Sequence, residues 1–474
     1  MLLRRSVPSV CMDEMPADVD LVVSGQVPLS GGGFGPGRVY IADGRITAVV
    51  EAADREDVGN GEIGSARVID AGAAFILPGA VDAHVHSYSH AGEGLLASTS
   101  AAAAGGVTTI VEMPFDATGP INSVDRLAAK QQRIADEAVV DVALLGTLEP
   151  GGGWRRAQDL VSHGVVGFKV SLFDTDPFRF PRISDAELLP VMRAVGEAGS
   201  TLCTHAENNE IIRALLAEQD GRDPNDPGAH AATRPPVSET LGALTAMEIA
   251  AHQGNPLHLC HLSLGRSAAL VGWYREQGVD VSFETCPHYL IFTERDVFAH
   301  RGRLKINPPL RAAVEREAMW DAVTGGLATV ISSDHAPWPA QWKDHERILD
   351  NHSGVPGVQT LVAATLGECL RRYGAGKEFE TTVAALTANP AERYGLTHKG
   401  TLAPGYDADI MVLTPDPGFR ITADGQYSNA GWTPYEGYAP GARVTTTISR
   451  GEVVWSAAAG LSAKPGRGAQ VVRR

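Results

Sequence analysis

His84 and His86 close the stretch Ile76-Leu-Pro-Gly-Ala-Val-Asp-Ala-His-Val-His86. Pro78 and Gly79 turn the chain, and the alternation from Val81 predicts a strand. Strand side chains repeat every two residues, so both imidazoles face the same way, as a pair of ligands to one divalent cation would. Such a pair also occurs where buried histidines simply hydrogen-bond the backbone. Its meaning changes because Lys169, His205, His261 and Asp334 recur at the ends of later apolar runs. Lys169, in Val165-Val-Gly-Phe-Lys-Val-Ser-Leu-Phe173, places an ammonium inside an apolar strand. Burial favours the neutral amine, which takes up carbon dioxide as a carbamate with two metal-binding oxygens; a salt bridge to a carboxylate is the other way to bury it. Four histidines, one aspartate and one lysine supply ligands for two adjacent divalent cations. Imidazole with oxygen donors favours zinc, with manganese, cobalt or iron as alternatives. Two ions sharing a water lower its pKa, so that hydroxide is available near neutral pH.

Something must bring these ends together. From Val81 the pattern is of short apolar strands separated by helical segments, the sign of successive βα units. Eight strands are expected, at Val81–His86, Val107–Met113, Val139–Gly146, Val165–Ser171, Ser200–His205, Pro256–His261, Val279–Thr285 and Ala328–Ser333. Amphipathic stretches such as Ser123–Glu137, Asp185–Glu197, Ser238–His252 and Arg311–Val323 lie between them. This predicts a (β/α)8 barrel over residues 76–395, with its chemistry at the C-terminal strand ends. A doubly wound sheet lacks support, since no Gly-x-Gly-x-x-Gly follows the first strand. Short strand patterns in residues 18–75 and again in 396–461 predict a small β-sandwich built from both ends of the chain. Residues 462–474, basic and Gly-rich, are expected to be a mobile tail. Asn208–Val237 is an insertion that covers the barrel mouth or makes oligomer contacts.

Composition narrows the partners. The 474 residues are 44% hydrophobic and 20% charged, with a formal charge of −16, which opposes binding to nucleic acid or anionic membrane and points to a small molecule. The five cysteines are scattered without Cys-x-x-Cys, as suits a reducing cytoplasm. No run of about 18 apolar residues is present, and Leu2–Cys11 is too short an apolar run for a signal peptide. Met12 or Met15 is a candidate start.

The chain resembles the amidohydrolase superfamily and, within it, the cyclic amidohydrolases. The likeness is carried by Leu77–His86, Gly105-Gly-Val-Thr-Thr109, Gly167-Phe-Lys-Val170, His205-Ala-Glu-Asn208, His261-Leu-Ser263, Glu284-Thr-Cys-Pro-His-Tyr-Leu290, Lys305–Arg311, Ser333-Asp-His-Ala-Pro337, Asn389-Pro-Ala391 and Gly405–Asp409. The resemblance implies that His84, His86 and Asp334 hold the more buried metal and His205 and His261 the other. Lys169, as N6-carboxylysine formed with carbon dioxide or bicarbonate, then bridges the two. It implies attack on a ring amide carbonyl, with Asp334 moving a proton to the departing nitrogen. It further implies that Asn307 contacts substrate, with Ser263 and His288 as weaker candidates, and that the chain forms a homotetramer or dimer. His258 is assigned to packing.

Departures from the family patterns bear on the ring. Dihydroorotases use His-x-His-x-Arg and a histidine after Asp-x-Ala-Pro; Tyr88 and Trp338 stand at those positions. Hydantoinases and dihydropyrimidinases carry an oxyanion-binding tyrosine five residues after the lysine, where this chain has Asp174. The run Ser333-Asp-His-Ala-Pro-Trp-Pro-Ala-Gln-Trp-Lys343 is most similar to the allantoinase pattern. Phe115-Asp-Ala-Thr-Gly-Pro120 departs from it and is expected to put the Asp116 carboxylate near the ring. Other cyclic imides or ureides are the alternative substrates. A non-catalytic scaffold of the same fold is the alternative of another class, disfavoured because no ligand position is lost.

Overall fold

The computed structural model describes residues 19–52, 66–219, 223 and 225–473. The candidate starts Met12 and Met15 lie outside them. Three antiparallel strands open the chain, β1 Leu21–Pro28, β2 Phe34–Ala42 and β3 Arg45–Glu51. The next strand, β4 Arg67–Pro78, runs parallel to β1. Its last residues lead, through Gly79, into the first barrel strand. The position demands glycine because an added Cβ would stand 2.2 Å from Thr108 Oγ1. Its N–H donates to Asp409 O at 2.8 Å, tying the turn to the returning C-terminal chain.

The barrel strands follow in order as β5 Ala80–Val85, β6 Val107–Glu112, β7 Asp141–Gly146, β8 Val165–Ser171, β9 Leu202–His205, β10 Leu257–Leu259, β11 Val281–Thr285 and β12 Val330–Ile331. Each pairs in parallel with the next. The ring closes where His86 N–H donates to His335 O at 2.9 Å and His335 N–H to His84 O at 3.2 Å. Eight runs expected from hydrophobic pattern are thus eight strands in sequence order. They are near-continuously apolar because both faces are covered.

The crossover helices follow the period expected of them. In Val124–Glu137, Leu127, Lys130 and Ile134 face inward, and Ser123 caps the start by accepting from Arg126 N–H. A lysine on that inward face is tolerated because its Nζ lies 3.0 Å from Glu112 Oε1 and 2.5 Å from Asp116 Oδ1.

After the barrel, β13 Ile410–Pro415, β14 Ala442–Ser449, β15 Glu452–Ser456 and β16 Gly460–Leu461 complete an eight-stranded sheet of order β16-β15-β14-β13-β4-β1-β2-β3. Alternation in β4 and β13 serves two cores at once. Phe75, Leu77, Met411 and Leu413 pack with the barrel, whereas Ala74, Ile76, Ile410 and Val412 join Val23, Ile41 and Ile46 of the opening strands.

The C-terminal segment is placed rather than free. β17 Gln470–Val471 pairs in parallel with the start of β7, where β8 has not yet begun, and Asp141 Oδ1 accepts from Ala469 N–H at 2.9 Å. Its small, Gly-rich composition lets it lie against the barrel bottom. Gly468 donates to Ala138 O at 2.7 Å. The 208–237 insertion contributes helices Asn209–Ala217 and Ala229–Thr233, and His230 Nε2 donates to Ile306 O beside the barrel mouth.

Candidate active site

Each candidate ligand sits at or just beyond the C-terminal end of a barrel strand. His84 is in β5 and His86 one residue past it, Lys169 is in β8, and His205 ends β9. His261 and Asp334 follow β10 and β12. Both of these have left-handed backbone, φ +39° and +48°, a conformation costly for side chains other than glycine. It turns each side chain inward immediately after the strand stops.

The groups converge. His84 Nε2 lies 3.2 Å from His86 Nε2, 3.3 Å from Asp334 Oδ1 and 3.5 Å from Lys169 Nζ. His86 Nε2 is 3.7 Å from Asp334 Oδ1. A second pair stands alongside, with His205 Nδ1 3.1 Å from His261 Nε2 and the His84 and His261 rings 5.4 Å apart. They floor a cavity of about 120 Å³. A wider groove of about 540 Å³ on the terminal sheet, lined by Asp20, Asp43, Arg45 and Glu452 among others, brings no imidazole or nucleophile with it.

The far nitrogens explain which way the lone pairs point. His84 Nδ1 meets Glu284 Oε1, and His205 Nε2 meets Glu207 Oε2 at 2.7 Å. With a carboxylate accepting the proton on one ring nitrogen, the other nitrogen presents its lone pair to the cavity. Burial holds the His84 imidazole down to about pKa 4, helped by the charge of Lys169, and depresses His205 and His261 as well. Neutral imidazoles are the form that binds a metal. Repulsive pairs of ring nitrogens about 3 Å apart, with His86 Nδ1 and His261 Nδ1 also lacking partners, fit a site that takes divalent cations between them.

Lys169 differs from the expectation that burial frees its amine. Burial does oppose the charge, but Cys260, Glu284 and Asp334 surround the amine and raise its pKa overall. Asp334 is pushed up to about 8 by burial.

Sequence reasoning missed the carboxylates behind the ligands. Glu284 lies in the apolar run Val281-Ser-Phe-Glu-Thr285, is fully buried, and stands between His84 and His258, whose Nε2 is 3.4 Å from its Oε2. Glu207 lies between His205 and Arg234. The signal was available, since a charge within a buried strand must have a partner.

The structure separates the candidate substrate contacts. Asn307 lines the cavity, and its buried Oδ1 has no partner among the described residues. Ser263 is turned away: its Oγ donates to Glu239 and accepts from Arg311 Nε at 3.0 Å. His288 is buried outside the cavity against Tyr289. His258 hydrogen-bonds Ser282 Oγ through Nδ1 at 2.8 Å.

Positions used to discriminate between rings also divide. Tyr88 does not line the cavity; its hydroxyl donates to Glu137 at 2.7 Å. Asp116 is taken up by Lys130, and its neighbour Phe115 faces the cavity instead. Asp174 pairs with Arg213 at 2.6 Å. Trp338 lines the cavity and is held through Nε1 to Ser353 O. Lys343 is buried, donating to the carbonyls of Lys305, His352 and Gly354 at 2.9, 2.6 and 2.7 Å. It thereby binds the loop that carries Trp338 to the loop that carries Asn307.

Residues 75–454 match the model of the amidohydrolase family. Among curated proteins the chain is similar to the allantoinase of Rubrobacter xylanophilus, 35% identical over 94% of this chain and 97% of that one. It is also similar to the allantoinase of Bacillus velezensis, 31% identical over 92% and 94%. Among solved structures, the L-hydantoinase (dihydropyrimidinase) from Arthrobacter aurescens superposes with a TM-score of 0.90 at 27% identity, covering 96% of this chain and 100% of that one.

Proposed function

This chain belongs to the amidohydrolase family, and on that premise we propose that it hydrolyses a ring amide of allantoin with the help of two divalent metal ions. It is a cyclic amidohydrolase, acting on carbon–nitrogen bonds in ring amides. The observation that carries the allantoin reading is the meeting of His84, His86, Lys169, His205, His261 and Asp334 at one cavity in a chain that allantoinases match almost end to end.

In this reading His84, His86 and Asp334 would hold one ion and His205 and His261 the other, and Lys169, carboxylated with carbon dioxide or bicarbonate, would supply an oxygen ligand to each. Zinc suits the donor set best, with manganese, cobalt or iron as alternatives. The ions, when bound, polarise the scissile carbonyl and lower the pKa of water. Asp334, at the rim of the histidine pair, takes a proton and delivers it to the departing ring nitrogen. Asn307 Oδ1, unpartnered and buried, accepts from a ring N–H. Phe115 and Trp338 supply apolar walls that keep bulk water from the ring. Glu284 and Glu207 fix the ring orientation of His84 and His205. Ser263, held by Glu239 and Arg311, supports the cavity wall.

The likeness to an L-hydantoinase favours a second reading, hydrolysis of a hydantoin or dihydropyrimidine. The partner is a small molecule. No helix among the described residues is long and apolar enough to cross a membrane. We place the enzyme in the cytoplasm as a homotetramer or dimer.

The test is a substrate panel on protein grown with zinc and bicarbonate: allantoin, hydantoin, dihydrouracil and dihydroorotate, each followed by acid release on ring opening. Allantoin is expected to show the highest kcat/KM by about tenfold or more. No allantoin turnover alongside efficient opening of hydantoin or dihydrouracil would transfer the assignment to the second reading.

A further inference from the structure

The cavity holds a charged pair outside the metal-ligand set. Arg179 and Asp176 line it from the loop that follows β8. The loop is well braced. Asp176 and Phe180 form an antiparallel bridge, and the Asp176 carboxylate accepts from Phe178 N–H at 3.0 Å and Arg179 N–H at 2.9 Å. Phe180 stacks on Phe115, with centroids 3.4 Å apart, and Phe115 in turn faces the His86 ring.

The guanidinium is oriented from two sides. Nε donates to Asp176 Oδ2 at 2.8 Å and Nη1 to Ser89 O at 3.0 Å, while Nη2 has no protein partner among the described residues. The arginine side chain retains 22% exposure. An ordinary surface Asp–Arg pair three residues apart contributes little to stability. A pair fixed over a reaction cavity has another use.

The pair offers N–H donors from arginine next to carboxylate acceptors from aspartate. A primary urea is the complement of that edge, with a carbonyl oxygen to accept and N–H groups to donate. A carboxylate substituent is not, because Asp176 already neutralises the arginine and would repel it. Resting on the allantoin reading above, we propose that Arg179 and Asp176 form the specificity site for the exocyclic ureido group, Arg179 Nη2 donating to its carbonyl oxygen and Asp176 accepting from its N–H.

The experiment compares allantoin, unsubstituted hydantoin and hydantoin-5-acetate in the metal-loaded wild type, Arg179→Met and Asp176→Asn. Each compound is scored by kcat/KM or, where it is not turned over, by its Ki as a competitor. In Arg179→Met the preference for allantoin over hydantoin should fall about 30-fold, as loss of a charge-assisted hydrogen bond implies. Asp176→Asn should lower the same ratio by about 5-fold or more. Equal losses on allantoin and hydantoin, which a merely structural loop would give, overturn the proposal, as does an unchanged ratio. So does tighter binding of the acetate than of allantoin by the wild type. Wild-type protein that opens hydantoin and not allantoin overturns the functional reading itself, a result visible before any variant is made.

Discussion

Glu284→Gln tests whether the carboxylate behind His84 tunes the site or only fills space. Glu284 is fully buried, with one oxygen against His84 Nδ1 and the other 3.4 Å from His258 Nε2. Glutamine has the same shape. Its carbonyl oxygen keeps accepting from His84 Nδ1–H, and its amide donates to His258 Nε2 once that ring carries its proton on Nδ1, 2.8 Å from the Ser282 hydroxyl oxygen that then accepts it. Every polar group therefore retains a partner, and stability of the chelated protein should change by no more than about 1 kcal/mol. What is lost is the negative charge that makes the imidazole a stronger ligand. Removing such a carboxylate costs about 10–100-fold in metal affinity, or about 1.4–2.8 kcal/mol. Glu284→Ala should behave differently, losing about 3–5 kcal/mol of stability because it leaves a cavity and a buried His84 Nδ1–H with no acceptor. The assay is zinc titration against a competing chelator, paired with urea unfolding of the chelated proteins. Glutamine and wild type with equal zinc affinity would refute the reasoning, whatever the stability result.

Three other outcomes are expected. Asp334→Asn should lower kcat by about 10²–10⁴-fold while circular dichroism is unaltered, and near-native turnover would remove Asp334 from proton transfer. Dialysis against a strong chelator should abolish ring opening, and zinc with bicarbonate should restore it; full recovery with zinc in rigorously carbon dioxide-free buffer would count against carboxylated Lys169. Lys399→Met should cost about 3–5 kcal/mol, because its Nζ stands 2.6, 2.9 and 2.8 Å from Asp141, Asp407 and Asp409. Burial opposes the Lys399 charge, but the three carboxylates raise its pKa, so its stabilisation is complete below about 10.5 and lost only as pH rises through the higher folded value. Urea midpoints of the wild type should thus owe no pH dependence to Lys399 between pH 6 and 8. The variant leaves the buried Asp409 carboxyl, whose pKa burial raises, without its cationic partner, so it should gain stability on acidification, and a variant midpoint flat with pH would contradict this account.

Much of the barrel was legible because its strands are covered on both faces. That leaves short apolar runs such as Val165–Ser171 between amphipathic helices such as Val124–Glu137, and each kind of run has its own period. The expected mobile tail is instead docked, because Gly-rich, basic composition reports solvation only when nothing nearby needs a partner. Here the start of β7 had a free edge before β8 begins, and Gln470–Val471 occupies it.

The metal-ligand candidates were found from residue type and strand position, and their shared cavity follows from the parallel order of the strands, which aims every C-terminal end at one mouth. Local spacing, by itself, determined the chemistry on offer: imidazole, carboxylate and lysine at strand ends. Tertiary structure alone decided which side chains line the cavity. Tyr88, two residues after His86, packs on Glu137, whereas Arg179 reaches the same cavity from a loop after β8. The difference is physical: a strand's period places neighbours along one strand, but a loop's side chains are also aimed by contacts such as that of Arg179 with Ser89 O, 90 residues away in sequence.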